Sequence, residues 1–385
     1  LTALLPFVTV KNRFLKPVSY VLWRASVTAS TRFLQDILRQ PVEMQRTIEH
    51  LSGPAQAALQ QGSSLIRAAR DVILTGIGAS WHAALSAGSM FFQGGRPVYM
   101  QEAGELLHFT TIPEKAVVVA ISRTGRSIEI VQLLAKAKAS GASVIGITNS
   151  ADSPLAQESS IAIVMPIKLD HAISVNTYST LLIAASALAS SVTTGFGSVA
   201  NALLHSVSEA GRCLELWQEQ LEKSAWLAPG VPYYFLARGG SLGTCHEARL
   251  LWEEGVKAPA TAMSTSSFRH GPQEIVKDGM RFCLWIQQEQ MRDEDLAVAD
   301  DLRRLGASVM LIGEKLPCDA AGLVCQLPGL PPHWQPVIDV LPVQLAAERL
   351  SRLSGVDCDS FRICSYIVED EHGLLGKKEA SPNAE

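Results

Sequence analysis

The chain has 385 residues, 47% of them hydrophobic and 18% charged, with a mean hydropathy of +0.16. At about 150 residues per domain that length predicts two domains, and the apolar content excludes intrinsic disorder as the main state. Thirty-three Lys and Arg against 37 Asp and Glu leave a net charge of −4, so the basic excess that binds a phosphate backbone is missing and no nucleic-acid partner is expected.

Residues 1–30 carry Lys11, Arg13, Lys16 and Arg24 and no acid. These charges interrupt the apolar block that a signal peptide would keep whole. The composition loosely fits an organellar transit segment; the simpler reading is a short extension, residues 1–32, outside the fold. Phe33, Leu34, Ile37 and Leu38 have helical spacing up to Pro41, which should break or bend the run, and a second helical stretch follows over 44–51. Residues 72–75 read as a strand, 76–80 as a turn and 81–92 as a helix. A buried strand over 116–121 precedes a helix over 127–140 closed by Gly141. Further strands are expected at 143–148 and 161–165. Fully apolar strands alternating with helices predict a parallel sheet covered on both faces.

The stretch from His171 to Ser208 lacks Asp, Glu, Lys, Arg and Pro. Its continuous apolar pieces are shorter than the roughly 18 residues a membrane span needs, so a buried helix is expected there and no membrane association. The pattern then restarts, with a helix over 200–227, a strand over 233–237, a turn over 238–241, a helix over 245–254 and strands over 282–286, 309–312 and 323–327. Gly76 and Gly239, and Met100 and Met263, share an offset of 163 (239 − 76; 263 − 100), which suggests a duplicated α/β unit. The expected domains are 33–199 and 200–370, with a tail over 371–385. The seven cysteines are scattered at 213, 245, 283, 318, 325, 358 and 364 without CxxC spacing. They read as small buried hydrophobes in a reduced, cytoplasmic setting. No HExxH or zinc-spaced Cys/His set occurs, and no metal is expected.

Three segments carry chemistry. In Gly76-x-Gly78-x-Ser80, Trp81 stands where a dinucleotide fingerprint needs glycine, which argues against a nicotinamide cofactor. Ser122-Arg123-Thr124-Gly125-Arg126-Ser127 follows a buried strand and opens a helix, where unpaired N–H groups and the helix dipole favour an anion. An ordinary Ser/Thr cap would explain one hydroxyl; three hydroxyls and two cations in six residues point to a phosphate group. Glu247 and Glu254 lie two turns apart on one helix face, and His270 sits in Ser267-Phe268-Arg269-His270-Gly271-Pro272. Such a carboxylate can move a proton between adjacent carbons, and such a histidine can act as acid or base. The plain alternative is a helix-end Glu and a surface-loop His.

At these residues the chain resembles the proteins with two SIS (sugar isomerase) domains, among them the isomerase half of glucosamine-6-phosphate synthase, amino-sugar-phosphate deaminase/isomerases and fructosamine-6-phosphate deglycases. The likeness covers roughly 33–370. Asp36-Ile37-Leu38-Arg39-Gln40-Pro41 is similar to the family's Glu-Ile-x-x-Gln-Pro opening, and Ser122 to Ser127 to its Ser-Gln-Ser-Gly-Glu-Thr loop. Ser80 falls on its Gly-Thr-Ser turn. Glu254 stands at its catalytic Glu and His270-Gly271-Pro272 at its His-Gly-Pro, with the family's spacing of sixteen (270 − 254). The resemblance implies two tandem flavodoxin-like SIS domains, each a parallel sheet with helices on both faces. It implies a sugar-phosphate ligand whose phosphate is held by Ser80, Ser122, Arg123, Thr124 and Ser127. Glu254 would transfer the proton. His270 would assist ring opening and reach a neighbouring subunit's site, which implies a homodimer or larger homo-oligomer. No cofactor is expected.

Two departures bear on the reaction. No segment is left for the synthase's glutaminase domain, so glutamine-dependent amination is not expected. Tyr366 occupies the position of the synthase's tail Lys, and a neutral phenol neither forms a Schiff base nor offers a permanent cation. The expected function is an aldose–ketose isomerase/deaminase of an aminated hexose 6-phosphate, with a fructosamine-6-phosphate deglycase and a non-catalytic sugar-phosphate sensor as alternatives. Sensing would need the phosphate loop but not the Glu/His pair.

Overall fold

A computed structural model describes residues 30–374, so the expected extension and the end of the tail lie largely outside the described residues. Helices α1 (Arg32–Ser52) and α2 (Gln56–Ala68) lead into β1 (Val72–Thr75), α3 (Ala79–Gln93), β2 (Tyr99–Met100), α4 (Ala103–Phe109) and β3 (Val117–Ser122). Then come α5 (Ile128–Ala139), β4 (Ser143–Thr148), α6 (Pro154–Glu158) and β5 (Ile161–Val164). Next, α7 (Asn176–Thr193) and α8 (Ala200–Lys223) precede β6 (Tyr233–Ala237), α9 (Ser241–Leu251), β7 (Thr261–Ser264) and α10 (Thr265–Phe268). The described chain closes with β8 (Arg281–Ile286), α11 (Arg292–Arg304), β9 (Ser308–Glu314), β10 (Leu323–Leu327) and α12 (Leu341–Leu353).

The apolar runs form two five-stranded sheets, parallel throughout, in the orders β2-β1-β3-β4-β5 and β7-β6-β8-β9-β10. The second order repeats the first strand for strand, which is the flavodoxin-like winding twice over. The single offset of 163 does not hold through the repeat. Leu74 pairs with Met100 and Leu236 with Met263, so the first strands are 162 apart (236 − 74) while their edge partners are 163 apart. The left-handed glycines of the two turns, Gly78 and Gly239, both at φ 56°, are 161 apart.

Every residue of β3 is buried, as a strand covered on both faces requires. One central core runs through α1, α3, α7, α8, α9 and α12 and the facing sides of both sheets, including Val117, Val119, Phe235 and Trp285. Two smaller clusters cover the outer sides, around Val118 and Leu133 and around Phe282 and Leu302. Residues 33–199 and 200–370 therefore share their middle layer. The charge-free stretch forms α7, buried from Asn176 to Ser190; each fully buried Leu or Ile there contributes about 1.5–3 kcal/mol. No helix among the described residues is long and apolar enough to cross a membrane.

Pro41 does not end the first helix; α1 continues through it to Ser52. The proline forfeits one backbone hydrogen bond, but Phe33, Ile37, Met44, Ile48 and Leu51 bury one continuous stripe. Pro41 itself packs against α8 at Gly211, where a β-carbon would lie 3.1 Å from its ring. Tertiary packing overrides the local break. All seven cysteines are free: four are buried, Cys213 is half-buried, and Cys318 and Cys364 are exposed.

Candidate functional site

In a sheet wound this way, ligands bind beyond the carboxyl ends of the strands where the winding reverses, here between β1 and β3. The chain leaves β1 through Gly76, where a β-carbon would stand 2.8 Å from the Ser80 carbonyl carbon and oxygen and 2.9 Å from the Trp81 nitrogen. Only glycine permits that turn, and it delivers Ser80 to the first turn of α3, nearly buried. From β3 the chain enters the hydroxyl loop. Ser122 Oγ accepts from Gly125 N–H at 3.1 Å, and Thr124 Oγ1 from Arg126 N–H at 3.4 Å. Ser127 is the N-cap of α5, yet its side chain makes no capping hydrogen bond. Its hydroxyl is thus free for a ligand, at a helix end suited to an anion.

Ser80, Ser122, Thr124 and Ser127 line one cavity of about 210 Å³ together with Arg123, Glu129, Glu254 and Tyr366. Arg123 borders it, but its guanidinium is engaged by protein groups. Nη1 donates to Ser174 Oγ (3.0 Å) and the Ala172 carbonyl (3.3 Å), and Nη2 to the Tyr366 carbonyl (2.7 Å). It also stacks 4.0 Å from the Tyr366 ring centroid. Arg123 therefore clamps the C-terminal segment and lends the cavity charge at its wall. Arg126 pairs with Asp152 at 2.9 Å.

Glu254 comes from the second half. Helix α9 runs on into a π-helical turn, Trp252–Val256, which ends at Lys257 in the left-handed conformation (φ 58°). Such a winding change is common at functional positions, and the left-handed residue costs about 1–2 kcal/mol. The Glu254 carboxyl makes no ion pair among the described residues. Burial above all raises its pKa to about 7, against the lowering charges of Arg123 and Lys257. A carboxyl poised there can both take and return a proton at neutral pH.

Beneath it lies a pair that no local pattern signals. His82 Nδ1 and Glu247 Oε2 are 2.8 Å apart, joining α3 to α9 in the shared core. Burial pushes Glu247 up to about 8 and His82 down to about 3. Both directions describe a hydrogen bond between neutral groups, the carboxyl O–H donating to the imidazole, rather than an ion pair. His246 stacks on His82 with ring centroids 5.9 Å apart.

His270 does not line this cavity. It lies exposed after α10, followed by Gly271 at φ 127°, so within one chain the structure does not bring it to Glu254. The C-terminal segment does reach the cavity. Asp359 accepts from the backbone N–H groups of Arg32 (2.9 Å) and Phe33 (2.8 Å), capping α1. Ile128 N–H donates to the Val368 carbonyl at 3.0 Å, and His108 and Glu371 approach to 3.0 Å. Tyr366 donates its hydroxyl to the Asp170 carbonyl at 3.4 Å, and burial raises its pKa. It is a wall of the cavity.

At the matching place in the second sheet the chemistry is different. The first turn of α11 holds Asp293, Glu294 and Asp295, which already complement the helix dipole, and Asp295 takes Arg238 at 2.8 Å. That helix end repels an anion, unlike the start of α5. Among the described residues no group of three or more His, Cys, Asp or Glu is arranged to hold a metal ion.

Comparison with known proteins agrees with this architecture. Residues 65–191 match the SIS domain family. The isomerizing glutamine–fructose-6-phosphate aminotransferase of Thermococcus kodakarensis is 22% identical over 369 residues, covering 92% of this chain and 61% of that protein. The chain thus spans about three fifths of the length of such relatives. Among solved structures, a glucosamine-6-phosphate deaminase from Thermotoga maritima superposes with a TM-score of 0.72 at 21% identity, over 88% of this chain and 99% of that one. The tagatose-6-phosphate ketose/aldose isomerase of Escherichia coli does so with 0.73 at 19% identity, over 87% and 96%. The fold, two parallel five-stranded sheets wound alike, is the one these proteins share.

Proposed function

We propose that the protein is an aldose–ketose isomerase or deaminase of an aminated hexose 6-phosphate. One observation carries the reading: Glu254, with a pKa near neutrality, opens into the same cavity as the hydroxyls of Ser80, Ser122, Thr124 and Ser127. The hydroxyls and the N-terminus of α5 hold the phosphate and orient the open-chain sugar with its first two carbons toward Glu254. The Glu254 carboxylate takes the proton from the carbon beside the carbonyl or imine. The C–H electron pair becomes the C1=C2 bond of an enediol or enaminol, and the carbonyl oxygen or imine nitrogen gains a proton. Returning the proton from Glu254 to the adjacent carbon completes the shift. When nitrogen sits at C2, the shift leaves an imine there, and addition of water to it releases ammonia.

The family likeness and the names of its structural neighbours support this reading. His270 enters in this proposal from a second copy of the chain, making the active form a homodimer or larger, and the unpaired cysteines suit a cytoplasmic setting. Two features favour a second reading, a sugar-phosphate sensor without turnover: His270 stands outside the cavity of its own chain, and Tyr366 rather than a lysine borders it. A panel of hexosamine and fructosamine 6-phosphates followed by NMR separates the two. Isomerised sugar, ammonia or free amine supports the enzyme; a raised melting temperature without turnover supports the sensor; neither effect overturns the sugar-phosphate assignment.

A further inference from the structure

Glu254 sits where its helix changes winding, and Lys257 fastens that place. The backbone N–H groups of Lys257 and Ala258 both return to the Trp252 carbonyl. The Lys257 side chain then folds back, and its Nζ donates to the carbonyl of Glu254 and, at 3.0 Å, to the carbonyl of Ser360. Nζ also lies 5.8 Å from the Phe361 ring centroid. One ammonium thus joins the turn that carries Glu254 to the C-terminal segment whose Cys364 and Tyr366 wall the cavity. Lys257 lines a second cavity, and that cavity meets the first at Glu254, Phe361 and Cys364.

We propose that Lys257 is a positioning residue: its bridge between the Glu254 and Ser360 carbonyls fixes the aim of Glu254 and holds residues 360–366 against the cavity. This rests on the reading of Glu254 as the base. An ammonium has three donors and can serve both carbonyls at once. A β-carbon in left-handed backbone persists only where its surroundings hold it; here the Trp252 carbonyl and the side-chain bridge hold it together. Lys257 faces Glu254, Asp357, Cys358 and Arg362, and Glu254 faces Glu247, Glu253, Arg123 and Lys257. The Lys257 charge favours ionised Glu254, opposing burial. Removing it should raise the Glu254 pKa further and move its titration to higher pH.

The test uses the full chain with Lys257→Met, Lys257→Gly and Lys257→Arg. Hydrogen exchange reads the amides of 360–366, carboxyl ¹³C NMR reads the Glu254 titration (assigned with Glu254→Gln), and kcat is measured against pH on whichever sugar phosphate the wild type converts. Met and Gly should speed exchange by about tenfold or more, shift the titration upward, and cut kcat by about 10²-fold with little change in KM. Arg should restore most of each. Gly relaxes the left-handed backbone, so its failing as Met does assigns the effect to the ammonium. Unchanged exchange and titration in Lys257→Met would overturn the proposal. If the wild type converts no sugar phosphate, the base reading falls, while exchange and titration still decide whether Lys257 makes the bridge.

Discussion

Replacing Ser127 by Ala separates a binding hydroxyl from a capping one. An N-cap serine normally contributes about 1 kcal/mol to stability through its side-chain oxygen, roughly 2 °C in melting temperature for a chain of this size. Ser127 makes no such bond, so the variant should unfold within about 0.5 kcal/mol of wild type. A hydrogen bond to a charged phosphate is instead worth about 1.5–3 kcal/mol, or one to two orders of magnitude in Kd. The share of Ser127 is increased because the Ile128 N–H at the same helix end already serves the Val368 carbonyl, leaving the hydroxyls more of the anion. Titration calorimetry with a hexose 6-phosphate, beside a denaturant midpoint, reads both quantities. A lowered midpoint with unchanged Kd would make Ser127 an ordinary cap and refute the reasoning.

Gly76→Ala should destabilise by about 1–3 kcal/mol in a denaturation midpoint, because its β-carbon meets backbone of α3 that cannot swing away; a neutral result would mean the turn is looser than described. Glu247→Gln should cost little, since an amide can still donate to His82 Nδ1. Glu247→Leu should cost about 1–3 kcal/mol by stranding that nitrogen, and a large loss in the Gln variant would instead indicate a buried ion pair. If His270 acts in a second copy's cavity, mixing Glu254→Gln with His270→Ala protein should recover turnover that neither shows alone; no recovery after subunit exchange would place His270 elsewhere.

The strands were legible because a parallel sheet buried on both faces demands unbroken apolar runs, and 72–74, 117–121 and 282–286 are such runs. Edge strands β2 and β7 are too short and too exposed to leave that mark, and α11 buries only Asp295, Ala299 and Leu302, too thin a stripe for periodicity to reveal. The continuation of α1 through Pro41 depends on Gly211, far along the chain, which a local rule cannot see. The hydroxyl loop and Glu254 were visible as residue types at characteristic spacing. His82 lay two residues beyond Ser80, but its meaning comes from Glu247, 165 positions away. The same holds for Lys257, whose partner carbonyl at Ser360 is 103 positions away. Arg123 showed as a cation near a phosphate loop; that its hydrogen bonds go to Ala172, Ser174 and Tyr366 follows only from the C-terminal segment folding back over the first half.

The most direct measurement of the central claim is solvent-deuterium exchange at C1 and C2 of a bound hexosamine 6-phosphate, compared between wild type and Glu254→Gln. With the carboxylate as the proposed base, wild-type exchange should rise with pH through about 7. The amide keeps the shape but cannot accept the proton, so exchange should fall by about 10²–10⁴-fold while calorimetric affinity stays within a few-fold. Glu254→Gln exchanging at near wild-type rate, or a wild type whose exchange is flat across that pH range, would contradict the assignment of Glu254 as the proton-transfer group.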